Sequence, residues 1–407
     1  MQQRQTRAIW LIVIVVGFFF IIDPFGFFSG NPMPEYRTSN EKRAEILTFL
    51  TDSARPDDFV AGLVANHDVV MIGTSGYRSP QYVRQQVEFL VESIPTLYDS
   101  GVRILGLEYA AKRDQQRIDT LVTSSGFDEQ VVSDILFDYQ VTAGYEEYVD
   151  IYRAVWSQNQ RLTGDEDPLR ILALTDPPDY SLISGTDDVG NPDIMSQVFA
   201  GGTPDEQIAQ TIMEEVIASG AKAVTFTAAQ HAFTGFEQVT YTRGMAELGF
   251  DNARTAGNIL RSELGDRVVT VIMHGPIEDS RPRTRYGYPL GGLIENAVRE
   301  LDAHDNERGF LTADFPLAEA PIVSDVVQQS EDDEVLFSEY TDGYIVLGPI
   351  AEYETLTPIP GFIDEARLAS AIRNFPGPDP GDVSVADLND FIAGNAQTMV
   401  RVFETFK

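Results

Sequence analysis

The chain of 407 residues contains no cysteine, which excludes disulfides, thiolate nucleophiles and Cys-ligated metal. Positive charge is scarce as well: 29 basic residues, almost all arginine, stand against 63 acids, for a formal charge of -34. A field of that sign repels phosphate backbones, so no nucleic acid is expected as a partner. The acidity itself reads as a heavily solvated surface of the salt-adapted kind. Phosphate-loop and dinucleotide fingerprints are lacking, since Gly73-Thr-Ser-Gly76 fits neither, and Ser75 is not in a G-x-S-x-G elbow. Internal repeats and low-complexity stretches are also missing. Only four histidines occur, which makes their placement informative.

What is present begins with an apolar amino terminus. Ala8 to Ile22 is an uninterrupted apolar run behind Arg4 and Arg7, and the apolar character resumes after Asp23 through Phe28. Counted across Asp23, the segment approaches the roughly 20 residues of a membrane-spanning helix, and no small-residue cleavage site follows it. Residues 1–29 are therefore expected to be a cytoplasmic tip and an uncleaved signal anchor, followed by a Gly- and Pro-containing linker at 30–40. The arginines precede the run and acids dominate after it, which places the rest of the chain outside the cytoplasm, periplasmic or extracellular.

Residues 41–407 alternate short apolar runs with helical patterns and no intervening linker, the sign of one α/β domain with a mostly parallel sheet flanked by helices. Five runs end at polar residues: VVMIG before Thr74-Ser75-Gly76-Tyr77, ILGL at Glu108, ILALT at Asp176, AVTFTAAQ at His231, and VVTVIM at His274. A sixth strand is expected at Tyr344 to Leu347. Helices are expected over Asn40–Thr51, Pro80–Asp99 and, within an insert at 112–167, over Gln115–Val122, Asp128–Phe137 and Tyr145–Gln160. The insert sits where it could roof the sheet edge. Behind Asp176-Pro177-Pro178-Asp179, 25 residues rich in Asp, Gly and Ser read as a loop. Thr203-Pro204-Asp205-Glu206 reads as a helix start, and Ser384 with Asp387 opens an amphipathic closing helix.

Parallel strands align their carboxyl ends on one edge, and ligands of open α/β sheets bind outside that edge. Glu108, at the end of a strand buried on both faces, must be paired, hydrogen-bonded or neutralised. His231 is suited to proton transfer or metal ligation. Asp176 is open to orienting a histidine, ligating a metal or capping a turn. Thr74, Ser75, Tyr77, Arg78, Gln230 and His274 complete the candidate set as substrate contacts, whereas His67 precedes the first strand and belongs to the opposite edge.

The stretches VVMIGTSGYRSPQYVRQQVEFLVE, GVRILGLEY with Gln115 and Ile118-Asp119, Pro168 to Asp176, AKAVTFTAAQHAF and GNILRSELGDRVVTV resemble, in this order, the superfamily joining erythromycin esterases, ChaN-type haem-binding lipoproteins and TraB/Tiki proteins. The resemblance covers roughly residues 60 to 275. It implies a site at the sheet edge in which Glu108 and His231 occupy the positions of the family's second-strand acid and later strand-end histidine. Family members also carry Gly-Glu-x-His or Gly-Glu-x-x-His after the first strand. Here Gly73 is kept, but Thr74 replaces the glutamate, and Gly76 or Tyr77 the histidine. The implied function is a membrane-anchored protein that binds a small-molecule or peptide ligand and hydrolyses it, with His231 as catalytic base or metal ligand and Glu108 and Asp176 orienting it. The alternative, motivated by the exchanged first motif, is a non-catalytic binder of haem, iron or another small ligand, or a scaffold. The cofactor implied is then a divalent metal, held by Glu108 and His231, or haem.

Overall fold

The computed structural model describes residues 38–407 apart from 75–82, 186–187, 279–285, 323, 325–326, 328–333 and 376–382. Its centre is a seven-stranded sheet: β1 (Val69–Thr74), β2 (Val102–Ala111), β3 (Arg170–Thr175), β4 (Lys222–Ala228), β5 (Val268–Met273), β6 (Glu307–Leu311) and β7 (Gly343–Leu347). The spatial order is β3-β2-β4-β1-β5-β7-β6. All neighbours pair in parallel except the edge strand β6, which runs antiparallel to β7.

The strands form where the sequence has apolar runs because both sheet faces are covered. In β1, Val70 and Ile72 join one apolar cluster while Val69 and Met71 join the other. On the first face lie α2 (Pro56–Asn66), α3 (Arg84–Asp99), the insert helices α4 (Gln115–Thr123), α5 (Glu129–Tyr139) and α6 (Glu146–Asn159), and the closing helix, here α13 (Val385–Glu404). On the second lie α1 (Asn40–Asp52), α8 (Pro204–Thr211), α10 (Ala256–Leu264) and α11 (Leu293–Glu300). A third, small cluster of Ile183, Val189, Met195, Val198 and Leu248 stands apart from both. It joins the segment after β3, including α7 (Pro192–Val198), to the end of α9 (Val239–Glu247), and α12 (Glu365–Arg373) completes the helices used below.

Local chemistry explains most boundaries. Thr203 accepts from the Glu206 amide while Glu206 reaches back to the Thr203 amide, a full capping box for α8, and Ser384 and Asp387 build the same device for α13. Ser39, rather than Asn40, caps α1. The second strand does not stop at Leu107 but continues to Ala111, with a register shift against β3 after Leu107, so Glu108 lies within a bulged strand and not beyond its end. The loop expected after Asp179 contains α7, and β6 was not foreseen.

Among the described residues no helix is long and apolar enough to cross a membrane. The segment on which the anchor expectation rests lies outside them.

Candidate functional site

Beyond β4 the chain makes one helical turn, Ala229–Ala232, that carries Gln230 and His231 across the end of β1. That crossing depends on Gly73, where a Cβ would stand 2.8 Å from the Ala229 Cα and 2.5 Å from the Ile272 Cδ1. The far side of the turn is held just as closely: Thr270 Oγ1 donates to the Ala232 carbonyl at 2.6 Å, and Gln238 Nε2 to the Gln230 carbonyl at 3.2 Å. Because β4 lies between β2 and β1, the turn falls beside Glu108.

Glu108 Oε2 accepts the Ala228 amide at 2.9 Å, which leaves Oε1 3.6 Å from His231 Nε2. On the other side of the ring, Nδ1 is 2.9 Å from Asp205 Oδ1. Asp205 is the second residue of α8, and its carboxylate also accepts the Ala256 amide at the start of α10 (2.7 Å) and the Tyr241 hydroxyl from α9 (2.5 Å). The imidazole is thus clasped between two carboxylates, with Asp205, His231 and Glu108 only 0%, 4% and 7% exposed. Burial opposes charge on the ring, but the negative charges of Asp205 and then Glu108, reinforced by their hydrogen bonds, outweigh it and hold the His231 pKa well above the ordinary histidine value. The clasp thus favours the protonated ring.

These groups form the floor of a cavity of about 580 Å³. That size suits a small organic ligand, for which sites of roughly 300–1,000 Å³ are usual. One wall comes from the insert, with Tyr139, Tyr145 and Tyr148, the other from the segment after β3 and from α9, with Asp176, Tyr180 and Tyr241. Tyr109 stacks on Tyr148 at 4.5 Å and meets Tyr139 edge-on at 5.9 Å. Burial pushes the Tyr109 and Tyr139 phenols up, aided by the charge of Glu108, so both rings stay neutral.

The remaining sequence candidates fall into three groups. Gln230 lines the cavity, with its side-chain nitrogen 3.3 Å from His231 Nε2. Asp176 lines it too, but its carboxylate accepts the Arg113 amide at 3.1 Å, and Asp205, not Asp176, orients the ring. Thr74 is buried within β1 and donates to the Thr227 carbonyl at 3.3 Å. His274 sits outside the cavity lining: it is fully buried, with Nδ1 3.0 Å from the Tyr344 hydroxyl and Nε2 3.3 Å from Glu295 Oε2. The ring expected as a substrate contact is thus engaged in a buried pair with Glu295. Ser75, Tyr77 and Arg78 lie outside the described residues. Among the described residues no group of three or more acidic or histidine side chains has an arrangement that could hold a metal ion. Glu108 and His231 offer two donors.

Asp205 is the residue that the sequence reading missed. Its signal is positional: a helix that follows a strand in an α/β sheet begins at the edge where strands end, so an acid in its first turn faces the same site.

The fold and site together define an α/β protein with a carboxylate–imidazole–carboxylate chain at the carboxyl edge of a mostly parallel sheet. No protein-family model matches the sequence, and no curated protein matches it significantly. Solved structures of similar outline include a protein from Bacillus cereus, with a TM-score of 0.49 and 9% identity over 78% of this chain and 99% of that one. They also include a succinoglycan biosynthesis protein, at 0.45 and 8% over 88% and 99%. An erythromycin esterase, EreC, in its open conformation is similar at 0.41 and 10% over 72% and 96%. At these identities the likeness concerns the course of the backbone, and no residue role is taken from it.

Proposed function

We propose that this is an acid–base site that hydrolyses an ester-like bond of a small ligand bound at the sheet edge. The observation that carries the reading is the chain Asp205–His231–Glu108 at the floor of a ligand-sized cavity. The position of the ring between two carboxylates assigns the roles. They favour its protonated, donating form, so Glu108 takes a proton from water as the water oxygen attacks the carbonyl carbon. The ester C–O bond breaks, and His231 Nε2 gives its proton to the leaving oxygen. The proton on Glu108 then returns to His231, 3.6 Å away, restoring the site. Asp205 keeps the ring oriented and charged throughout.

The N-terminal run supports a protein tethered to a membrane with this domain on the extracytoplasmic side, and protease accessibility of the domain in intact cells tests that placement. Hydrolysis of p-nitrophenyl acetate and butyrate tests the chemistry. Turnover is expected to vanish in His231→Ala, with a lowered melting temperature but a cooperative transition and native circular dichroism showing that the protein still folds. Unchanged turnover in a folded His231→Ala protein removes the assignment and leaves a binding role.

A further inference from the structure

The lining of the cavity is unbalanced in charge. Glu108, Asp138, Asp176, Asp179, Asp205 and Glu247 line it, against Arg113, Arg373 and the His231 ring. Several of these charges are already spent: Asp205 and Glu108 clasp His231, and Asp138 accepts from Arg117 at 2.9 Å. Asp176 is different. It is half-buried, its carboxylate accepts only the backbone amide of Arg113 at 3.1 Å, and it makes no ion pair among the described residues. The Arg113 guanidinium already donates to the Asp138 carbonyl, and Arg373 is exposed. An anionic ligand would meet repulsion there. The walls supply the complementary feature, an aromatic surface in which Tyr109, stacked on Tyr148, and Tyr139 line the cavity.

We propose that the ligand of this cavity is an organic cation, an amine or quaternary ammonium group on a small apolar body, received by Asp176 and the tyrosine wall. The inference rests on the cavity being the ligand site described above. A carboxylate on one wall and aromatic rings on the other attract the same cation between them, through the acid charge and the ring quadrupole, while the methyl groups are desolvated at little cost. A neutral polyol would use the hydrogen bonds and gain nothing from the field.

The test uses the purified full chain and three probes: choline, its uncharged carbon counterpart 3,3-dimethylbutan-1-ol, and methyl glucoside, titrated by calorimetry or saturation-transfer NMR. Choline is expected to bind about tenfold more tightly than the alcohol, in line with a desolvated cation–π and carboxylate contact. Asp176→Asn is expected to erase most of that difference without changing affinity for the alcohol, and Tyr109→Leu to weaken choline. Equal or tighter binding of the alcohol or the glucoside overturns the cation preference while leaving ester turnover by His231 standing. Failure of all three probes to bind overturns the ligand-site reading itself.

Discussion

Asp205 and His231 are 26 positions apart, and the acid belongs to a helix start while the histidine sits in the short turn beyond a strand, yet Asp205 Oδ1 and His231 Nδ1 meet at 2.9 Å. This bond fixes which nitrogen faces the ligand: with Nδ1 taken, Nε2 points towards Glu108 and the cavity. Asp205→Asn keeps the shape and removes the charge. The His231 pKa is expected to fall towards the ordinary histidine value, read from the ring resonances by NMR, with turnover of p-nitrophenyl acetate lowered by about a hundredfold as proton donation fails. An unmoved ring titration would show that Asp205 does not hold the charge.

The same clasp makes folding depend on pH. A histidine whose folded pKa lies above its unfolded one contributes stability that is complete below about pH 6.5 and is lost as pH rises through the folded value. Urea midpoints of the parent and of His231→Gln are therefore expected to differ most at mildly acidic pH and to converge under alkaline conditions, since the raised value of His231 sets the upper end of the window. A gap that widens with pH contradicts the assignment.

Gly73→Ala inserts a methyl group where the His231 turn crosses β1, 2.8 Å from the Ala229 Cα. The backbone there cannot swing aside as a flexible side chain would. A loss of about 1–3 kcal/mol is expected from such overpacking, measured by urea unfolding, with turnover falling further than stability because the ring is displaced. Full activity at reduced stability would mean that the turn relaxes without moving the imidazole.

His274 and Glu295 form a second buried pair remote from the cavity. Glu295 also accepts the Ile350 amide at 3.1 Å and pairs with Arg299 at 2.8 Å. Burial opposes its charge, but the hydrogen bond and charge of His274, the Ile350 amide and Arg299 prevail, and its pKa lies below the ordinary glutamate value. Its contribution to stability is thus present above the unfolded value and lost as pH falls through the folded one. Glu295→Ala is expected to cost roughly 3 kcal/mol by orphaning buried partners, with choline affinity unchanged. A loss of choline binding in a folded variant would tie this pair to the site.

The strands that the apolar runs announce, β1 to β5 and β7, are those covered on both faces, where burial favours apolar residues and admits few polar ones besides threonine. β6 escaped because an antiparallel edge tolerates Glu307, Arg308 and Gly309, and Arg308 is satisfied by the Leu50 carbonyl at 2.7 Å. Glu108 and His231 were legible because a polar residue closing an apolar run is conspicuous. Asp205 was not, for the opposite reason: within Thr203 to Glu206 an acid suits the first turn of a helix, and local chemistry already accounts for it. Its partner comes from long-range folding that no short window records. His274 shows the converse, a conspicuous strand end whose ring is consumed by the core.

The third apolar cluster bears on how a ligand reaches the site. Ile183, Val189, Met195, Val198 and Leu248 pack with one another and not with either face of the sheet, so the part of the wall that they knit together is held by that cluster and by a few hydrogen bonds such as Tyr241 to Asp205. Such a unit has its own free energy of local unfolding, smaller than that of the whole molecule. Amide protons of α7 and α9 should exchange with solvent while those of β1 and β4 remain locked. Ligand entry then follows the breathing of a few side chains, and the strands that hold Glu108 and His231 in place need never loosen.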